Sequence, residues 1–335
     1  MFRPLFEKRA LLFIAAFIIF FIVGLLINNG GEEEQPKVKR MLPALGTMVE
    51  IIIPEGDPAI QKGAFEAAFA EITRIDSVFT DYNDSSAVGL INLAKPGKIA
   101  TSPEVIGLIK RSLDLSGKTG GAFDVTVGGL VRLWGFKDET MHIPATDSLK
   151  AVLTQVGWKN LIIIGDTELE KKTDLKIDLS GIAKGYAVDR TFDLLSDLGV
   201  KSFLINAGGE IRCKGEGWTT GVQDPRDPNG IVEVILPGEM AVATSGDYQN
   251  YFEVDGKRYC HLFDPSTGFP AGKVISVTVV ADDVATADAL ATALFVTGLE
   301  GSEPIMKNFP GCEYLIIGKD GKKHYSPGFK KYIRS

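Results

Sequence analysis

The stretch DLSGIAKGY, residues 178–186, decides how the chain folds around it. The pattern LKIDL at residues 175–179 predicts a strand, and the pattern at residues 182–198 predicts a helix. Ser180 is a good N-cap residue, and free amides at a helix start favour a bound anion. Lys184 could add a positive charge for a phosphate. Taken alone, the stretch is better explained by an ordinary capped helix after a strand, so it does not define a site by itself.

The rest of the chain mixes strand and helix patterns. Apolar and β-branched runs predict strands at residues 48–53, 161–164, 202–205, 210–213, 230–236, 251–254, 274–280, 314–317 and 323–325. Helical spacing of apolar residues predicts helices at residues 59–79, 103–116 and 284–296. Because the order is not a regular βαβ alternation, we expect an α+β fold in a single mixed domain rather than a doubly wound sheet.

The N-terminus predicts a membrane anchor. Residues 10–27 form an unbroken apolar run just long enough to span a bilayer, and no small-x-small cleavage site follows it. Basic residues precede the run and an acidic stretch follows it, so residues 1–9 should stay in the cytoplasm and the remainder should face outward. A cleaved signal peptide is the alternative. Residues 28–40 are predicted as a polar linker and residues 41–335 as the folded domain.

Composition argues against one class of partner. With 335 residues, 45% of them hydrophobic, the chain can bury a large core. The formal net charge of −7 disfavours a nucleic-acid partner, although backbone amides and a metal in a cleft can still hold phosphate. The cysteines at positions 213, 260 and 312 have no metal-binding spacing, and buried inert thiols are expected.

An acidic and a hydroxyl side chain share one face of the predicted alanine-rich helix. Asp288 and Thr292 are four residues apart in an almost wholly apolar segment, so the carboxylate should be buried and should need a partner. A hard cation held by a carboxylate, a hydroxyl and a carbonyl would be such a partner. Neighbouring amides or an arginine would serve equally well.

One of the three histidines, His261, begins the stretch HLFDPSTG at residues 261–268. Asp264 starts its Asp-Pro-Ser-Thr-Gly part, which is typical of a turn. A histidine and an aspartate at a turn can act as general bases toward a hydroxyl, whereas a strand end with a surface histidine is the structural alternative. A serine hydrolase is disfavoured because the chain has no Gly-x-Ser-x-Gly elbow.

Three further stretches combine small residues with strand ends. GGAFD at residues 120–124, followed by LWGF at residues 133–136, suits a flat ring lying near the backbone, although a hairpin with core aromatics would look the same. NAGGE at residues 206–210 and ATSGDY at residues 243–248 are small-residue turns, which are more often structural than catalytic.

The order and spacing of these stretches resemble the ApbE family. Residues 261–268 match the family signature His-hydrophobic-hydrophobic-Asp/Asn-Pro-x-Thr/Ser-Gly at every position. Residues 121–124, 178–186, 206–209, 243–248 and 287–293 match five further motifs in the family's order. The resemblance runs from about residue 43 to the C-terminus. It implies a T-fold-like domain that uses Mg²⁺ to move FMN from FAD onto a threonine hydroxyl of an acceptor flavoprotein, releasing AMP.

The resemblance also implies roles for individual residues. The metal would lie between the carbonyl of Gly181, Asp288 and Thr292. His261 would deprotonate the acceptor hydroxyl, with Asp264 orienting it or sharing the task. Contacts to FAD are implied for Leu45, Tyr82, Ala122, Phe123, Asp124, Asp178, Lys184 and His261. The family usually has Met-Gly-Thr near the domain start where this chain has Leu45-Gly46-Thr47, so an apolar contact would replace a methionine contact.

The resemblance places the acceptor among flavoproteins of the cell envelope, which agrees with a domain anchored in the inner membrane and facing outward. Two other functions share the same residues. A Mg²⁺-dependent FAD pyrophosphatase would use water in place of the protein hydroxyl and release FMN and AMP. A non-catalytic flavin-binding protein of the envelope would not need His261, Asp264, Asp288 and Thr292 together, which disfavours it.

Overall fold

The computed structural model describes residues 36–138 and 140–334. The predicted anchor at residues 10–27 lies outside the described residues.

The strands are β1 Lys37–Ala44, β2 Thr47–Pro54, β3 Gly97–Ala100, β4 Leu161–Ile164, β5 Glu168–Lys171, β6 Phe203–Ala207, β7 Glu210–Lys214, β8 Thr220–Gln223, β9 Ile231–Ile235, β10 Ala241–Gly246, β11 Tyr251–Val254, β12 Lys257–Cys260, β13 Val274–Ala281, β14 Glu313–Gly318 and β15 Lys323–Tyr325. The α-helices are α1 Pro58–Gln61, α2 Ala64–Phe79, α3 Ala87–Leu93, α4 Pro103–Lys118, α5 Gly128–Leu133, α6 Thr146–Leu153, α7 Ser180–Asp197 and α8 Val284–Met306.

Eight of the described strands form one antiparallel sheet in the order β1-β2-β6-β7-β10-β13-β14-β15. Three small antiparallel sheets, β3-β5-β4, β8-β9 and β11-β12, lie outside it. The strands and helices do not alternate regularly, as the sequence predicts, and the result is a single mixed α/β domain. The predicted helix at residues 59–79 is two helices, because Gly63 between them has a φ of +81°.

The large sheet is buried on both faces. Successive side chains of β6 point to opposite faces of the sheet and join two different apolar clusters. Phe203 and Ile205 pack with α2 and α7 on one face, whereas Leu204 packs with β8, β9 and the C-terminal segment on the other. Helix α8 lies against β10 and β13, and nearly all of its first three turns are buried. The sheet therefore places the starts of α7 and α8 against one of its faces.

Helix α8 is the one described helix long and apolar enough to cross a membrane, but 67% of its most apolar window is buried inside the domain. Its place against β13 accounts for that composition, since a helix that is apolar on all sides suits a protein core.

Residues 175–179 do not form the predicted strand: Lys176 makes an isolated parallel bridge to Val127, and Leu179, with φ −100° and ψ 7°, is already the N-cap of α7. The side-chain amide of Asn92 makes both backbone hydrogen bonds to Ile177, accepting from its N–H at 2.6 Å and donating to its carbonyl at 2.8 Å. On the other side, the N–H of Asp178 donates to the carbonyl of Val125 at 2.8 Å. A side-chain amide takes the place of a neighbouring strand at Ile177, so the strand predicted for residues 175–179 was wrong.

The first hairpin begins at Lys37, inside the segment predicted as linker. Its β1 and β2 strands pair from Lys37–Pro54 to Ala44–Thr47 through a two-residue turn, in which Leu45 has a φ of +56° and Gly46 one of +71°. A left-handed conformation costs a non-glycine residue about 1 kcal/mol. A hydrogen bond from the Leu45 N–H to the carboxylate of Asp76, 3.0 Å long, helps to hold it.

Candidate active site

The starts of α7 and α8 approach closely because two glycines face α8. A β-carbon added to Gly185 would lie 2.5 Å from the carbonyl oxygen of Val284, so no larger residue fits. A β-carbon added to Gly181 would lie 3.3 Å from the Thr292 hydroxyl. The two glycines are four residues apart, as are Asp288 and Thr292, so each helix presents one face to the other. The structure thus brings together the three residues that the resemblance implies for a metal.

Helix α7 starts two residues earlier than the predicted helix at residues 182–198. Ser180 is its first helical residue, and the N-cap position is occupied by Leu179, which has no capping side chain. The carboxylate of Asp178 caps the start instead, accepting a 2.8 Å hydrogen bond from the Ser180 N–H. An acidic group at the N-terminal end of a helix is favoured by the helix dipole. Asp178 therefore lies next to the place where the starts of α7 and α8 approach, which we call the α7–α8 crossing.

Three charged side chains meet at this crossing. The ammonium of Lys184 lies 3.1 Å from Glu210 Oε1 and 3.6 Å from Asp288 Oδ2, and it donates to the carbonyl of Ser180 at 3.1 Å. Asp288 also accepts a long, 3.3 Å hydrogen bond from the Gly185 N–H. Glu210 and Asp288 are each only 2% exposed. We call Lys184, Glu210 and Asp288 the charged cluster.

Burial dominates the electrostatics of the charged cluster. It raises the pKa of Glu210 to about 8, with Lys184 opposing the shift and Asp288 adding to it. It also raises the pKa of Asp288. Burial alone would lower the pKa of Lys184, but the carboxylates of Asp288 and Glu210 more than offset it and raise that pKa. Lys184 therefore stays protonated, and the cluster holds two acids around one cation.

The residues at the crossing fit a hard cation. The contacts of Asp288 are long, and the Thr292 hydroxyl has a similarly long 3.4 Å contact with Ser245 Oγ, so these oxygens can accept another partner. Carboxylate, hydroxyl and carbonyl oxygens are the donors that Mg²⁺ prefers. In the part of the chain that the structure describes, no group of three His, Cys, Asp or Glu residues could hold a metal. A site with one carboxylate is typical of Mg²⁺ that is also bound by substrate phosphates.

His261 lies beside the charged cluster in a neutral form. Its Nδ1 is 3.2 Å from the carbonyl oxygen of Asn250, and its side chain is half-buried. Burial lowers the pKa of His261 to about 4, and the ammonium of Lys184 contributes in the same direction. At neutral pH the imidazole is therefore unprotonated and can accept a proton.

Asp264 holds its own turn together. Its Oδ1 accepts hydrogen bonds from the N–H and the hydroxyl of Ser266, at 2.9 and 2.6 Å. The ring N–H of Trp134 donates to the carbonyl of Gly268 at 3.0 Å and attaches the turn to an aromatic cluster. The hydrogen bond of the His261 ring goes to Asn250 and not to Asp264, so the contacts of Asp264 hold the turn, and its implied part in catalysis stays a prediction.

The segment at residues 120–124 is a turn beside α7 rather than a hairpin. Phe123 is buried, and its ring would lie 3.4 Å from a β-carbon added to Gly181; Ala122 is half-buried next to it. The carboxylate of Asp124 is used within the fold, accepting from the N–H and hydroxyl of Thr126 and from the N–H of Trp158. Phe123 therefore lies at the α7–α8 crossing, and Asp124 fixes the loop that carries it.

Tyr82 lies at a second group of charges. Its ring is 69% exposed, and the ammonium of Lys137 lies over it at 4.8 Å from the ring centre. Lys137 also pairs with the buried carboxylate of Asp81, whose pKa is raised by burial and by the nearby carboxylate of Asp178. The carboxylates of Asp81 and Asp178 are therefore close enough to interact, and an exposed aromatic ring next to Asp81 suits stacking on a flat ligand.

Two residues of the crossing are missing from the sequence-based predictions. Glu210 and Ser245 both lie in stretches interpreted as structural turns, at residues 206–210 and 243–248. For Glu210 a signal was present, because an acidic residue at the start of an apolar strand is rarely buried without a partner. Its partner Lys184 is 26 residues earlier in the chain, and the sequence does not show that pairing.

The fold and the crossing define a mixed α/β protein in which a lysine lies between two buried acids, near a histidine whose pKa is lowered. A family model described as the ApbE family matches residues 45–316. The chain belongs to the ApbE family.

Individual relatives agree with the family match. A FAD:protein FMN transferase of Vibrio cholerae serotype O1 is 41% identical over 245 residues, which are 70% of this chain and 73% of that protein. The FAD:protein FMN transferase of Escherichia coli K12 is 32% identical over 308 residues, 87% of this chain and 88% of that protein. The ApbE protein of Thermotoga maritima has a similar structure, with a TM-score of 0.84 at 36% identity over 89% of this chain and 100% of that chain. The structure of the flavin transferase ApbE from Vibrio cholerae is also similar, with a TM-score of 0.79 at 34% identity over 88% of this chain and 99% of that chain.

Proposed function

We propose that the chain transfers FMN from FAD to a threonine hydroxyl of an acceptor flavoprotein, in a Mg²⁺-dependent reaction that releases AMP. The observation that carries this proposal is the charged cluster beside a neutral His261. Membership of the ApbE family and the shared name of the relatives support the flavin transferase activity.

The residues at the crossing would divide the work of binding. Asp288, the hydroxyl of Thr292 and the carbonyl of Gly181 would hold Mg²⁺. When bound, Mg²⁺ would neutralise charge on the diphosphate. Lys184 and the amides at the start of α7 would attract the phosphates of FAD, and Tyr82 would stack on a ring of the substrate.

His261 would act on the acceptor. The imidazole takes the proton from the threonine hydroxyl, the threonine oxygen forms a bond to the phosphorus of the FMN half, and the bond to the AMP phosphate oxygen breaks. A hydroxyl is a weak nucleophile, so a neutral base within reach accelerates this step. Burial supports this role, since it keeps His261 unprotonated at neutral pH.

We also propose that residues 10–27 anchor the chain in the inner membrane and that the catalytic domain faces outward. The apolar run and its flanking charges support this arrangement. The acceptor would then be a flavoprotein subunit of the cell envelope.

The test uses the full-length chain in detergent with FAD, Mg²⁺ and an envelope flavoprotein subunit that carries a candidate threonine. Mass spectrometry should detect a gain equal to FMN on that subunit, and EDTA or Asp288→Asn should abolish the gain. His261→Gln should also abolish it, whereas His142→Gln, which changes an exposed histidine, should not. Free FMN and AMP without a protein adduct would favour the pyrophosphatase. FAD that binds unchanged would refute both reactions.

A further inference from the structure

Glu210 has a feature that the fold does not explain. It starts β7 after the Gly208-Gly209 turn and is 2% exposed. Its Oε1 contacts Lys184, but its Oε2 is buried and has no hydrogen-bond partner within residues 36–138 and 140–334. A buried carboxylate oxygen without a partner costs stability, so a purely structural role would be served better by an uncharged side chain.

The distances within the charged cluster show which acid holds the lysine. The Lys184 ammonium lies within hydrogen-bond distance of Glu210 and of the Ser180 carbonyl, both at 3.1 Å. Asp288 is farther away, at 3.6 Å. Lys184 is thus held mainly by Glu210, although Asp288 is close enough to replace it as a partner.

We propose that Glu210 is a positioning residue of the cation site: it holds Lys184 away from Asp288, so that the carboxylate of Asp288 is available to the metal. This inference rests on the proposed function only in that Asp288 binds the cation. Without the negative charge of Glu210, the ammonium of Lys184 pairs with Asp288 and competes with the metal for it.

The experiment measures Mg²⁺ binding to the full-length chain by isothermal titration calorimetry, without FAD. Because burial raises the pKa of Glu210 to about 8, a pH of about 9 keeps most of it ionised. Glu210→Gln keeps the size of the side chain and removes its charge, and it should weaken Mg²⁺ binding about tenfold, as the loss of a residue that orients a metal ligand typically does. Thermal unfolding in EDTA verifies that the variant is folded.

A matched control is available in β2. Glu50 is also buried and pairs with a lysine, Lys39, at 2.9 Å, but it is not part of the charged cluster. Glu50→Gln should leave the Mg²⁺ affinity unchanged. FAD binding without metal, followed by flavin fluorescence, should not weaken in Glu210→Gln, because Lys184 is still present to attract phosphate.

Removing the lysine separates positioning from a direct charge effect. Lys184→Met should tighten Mg²⁺ binding, because Asp288 then has no competing cation. In the Lys184→Met background, Glu210→Gln should change Mg²⁺ affinity by no more than about twofold, since the residue through which it acts is gone.

Two results would overturn the inference. One is an equal loss of affinity from Glu210→Gln with and without Lys184, which would show that Glu210 acts on the metal by its own charge. The other is Lys184→Met binding Mg²⁺ no more tightly than the wild type, a result that does not depend on the folding of a Glu210 variant. If the wild-type chain binds Mg²⁺ only when FAD is present, the same variants are compared with FAD present. Absence of Mg²⁺ binding by the wild-type chain both without and with FAD would instead refute the metal site of the proposed function, and the inference with it.

Discussion

The depressed pKa of His261 predicts a specific dependence of stability on pH. Its pKa is about 4 in the folded protein, against an ordinary value of 6.5. Between these values the unfolded chain binds a proton that the folded protein does not, so the free energy of unfolding falls as pH falls. The two pKa values give a loss of about 2 kcal/mol from about pH 7.5 to about pH 5, and about 3 kcal/mol by about pH 4.

The assay compares wild type with His261→Gln. Urea unfolding of both proteins in EDTA, at several pH values across this range, gives the free energy of unfolding of each. The contributions of Glu210 and Asp288 cancel in the difference between the two proteins, which isolates His261. His142→Gln removes an exposed histidine and serves as the control.

The direction in which the free energy of unfolding changes with pH is as informative as the size of the change. The stability of the wild type relative to His261→Gln should decrease steadily toward low pH, while the His142→Gln control should run parallel to the wild type. A difference that stays constant between about pH 7.5 and about pH 4 would show that His261 titrates normally, and the argument for a neutral base would fail.

Three further predictions concern the helices and the segment at residues 175–179 around the site. Thr292→Val should raise the Mg²⁺ concentration for half-maximal FMN transfer about tenfold, and Thr297→Val on the same helix should not; equal effects in a Mg²⁺ titration would contradict the metal assignment. Asn92→Ala should lower the free energy of unfolding in urea by about 2–3 kcal/mol, because two buried backbone groups lose their partners, and a change below about 1 kcal/mol would show that water replaces the amide. Gly185→Ala should destabilise by about 3 kcal/mol because of its backbone clash, whereas Gly107→Ala, which has open space on a helix, should stabilise by about 0.5–1 kcal/mol in the same assay.

Much of the local structure could be predicted from the sequence, because it depends on near neighbours. The predicted strand at residues 323–325 agrees with β15, and the alanine-rich segment is a buried helix with Asp288 inside it. The strand predicted at residues 175–179 was wrong, because Ile177 pairs with the side-chain amide of Asn92, which comes from a helix more than 80 residues earlier and leaves no periodic signal.

Within the site, the sequence was least informative about how carboxylates are used. Asp124 and Asp264 both accept hydrogen bonds from the residue two positions later, Thr126 and Ser266, which are local contacts that the spacing could have suggested. Glu210 shows the opposite case, because its role depends on a lysine brought to it by the packing of α7 on the sheet. The sequence could be used to identify the motifs, but the division of work among the acidic side chains required the structure.

The start of β1 at Lys37 limits the reach of the enzyme. If the proposed anchor ends at residue 27, only nine residues separate it from the sheet, and a fully extended chain of that length spans at most about 30 Å. The domain would then pivot about a point close to the bilayer and meet its acceptors mainly by lateral diffusion in the membrane plane. Threonines farther from the membrane than this tether plus the width of the domain would be excluded by distance alone.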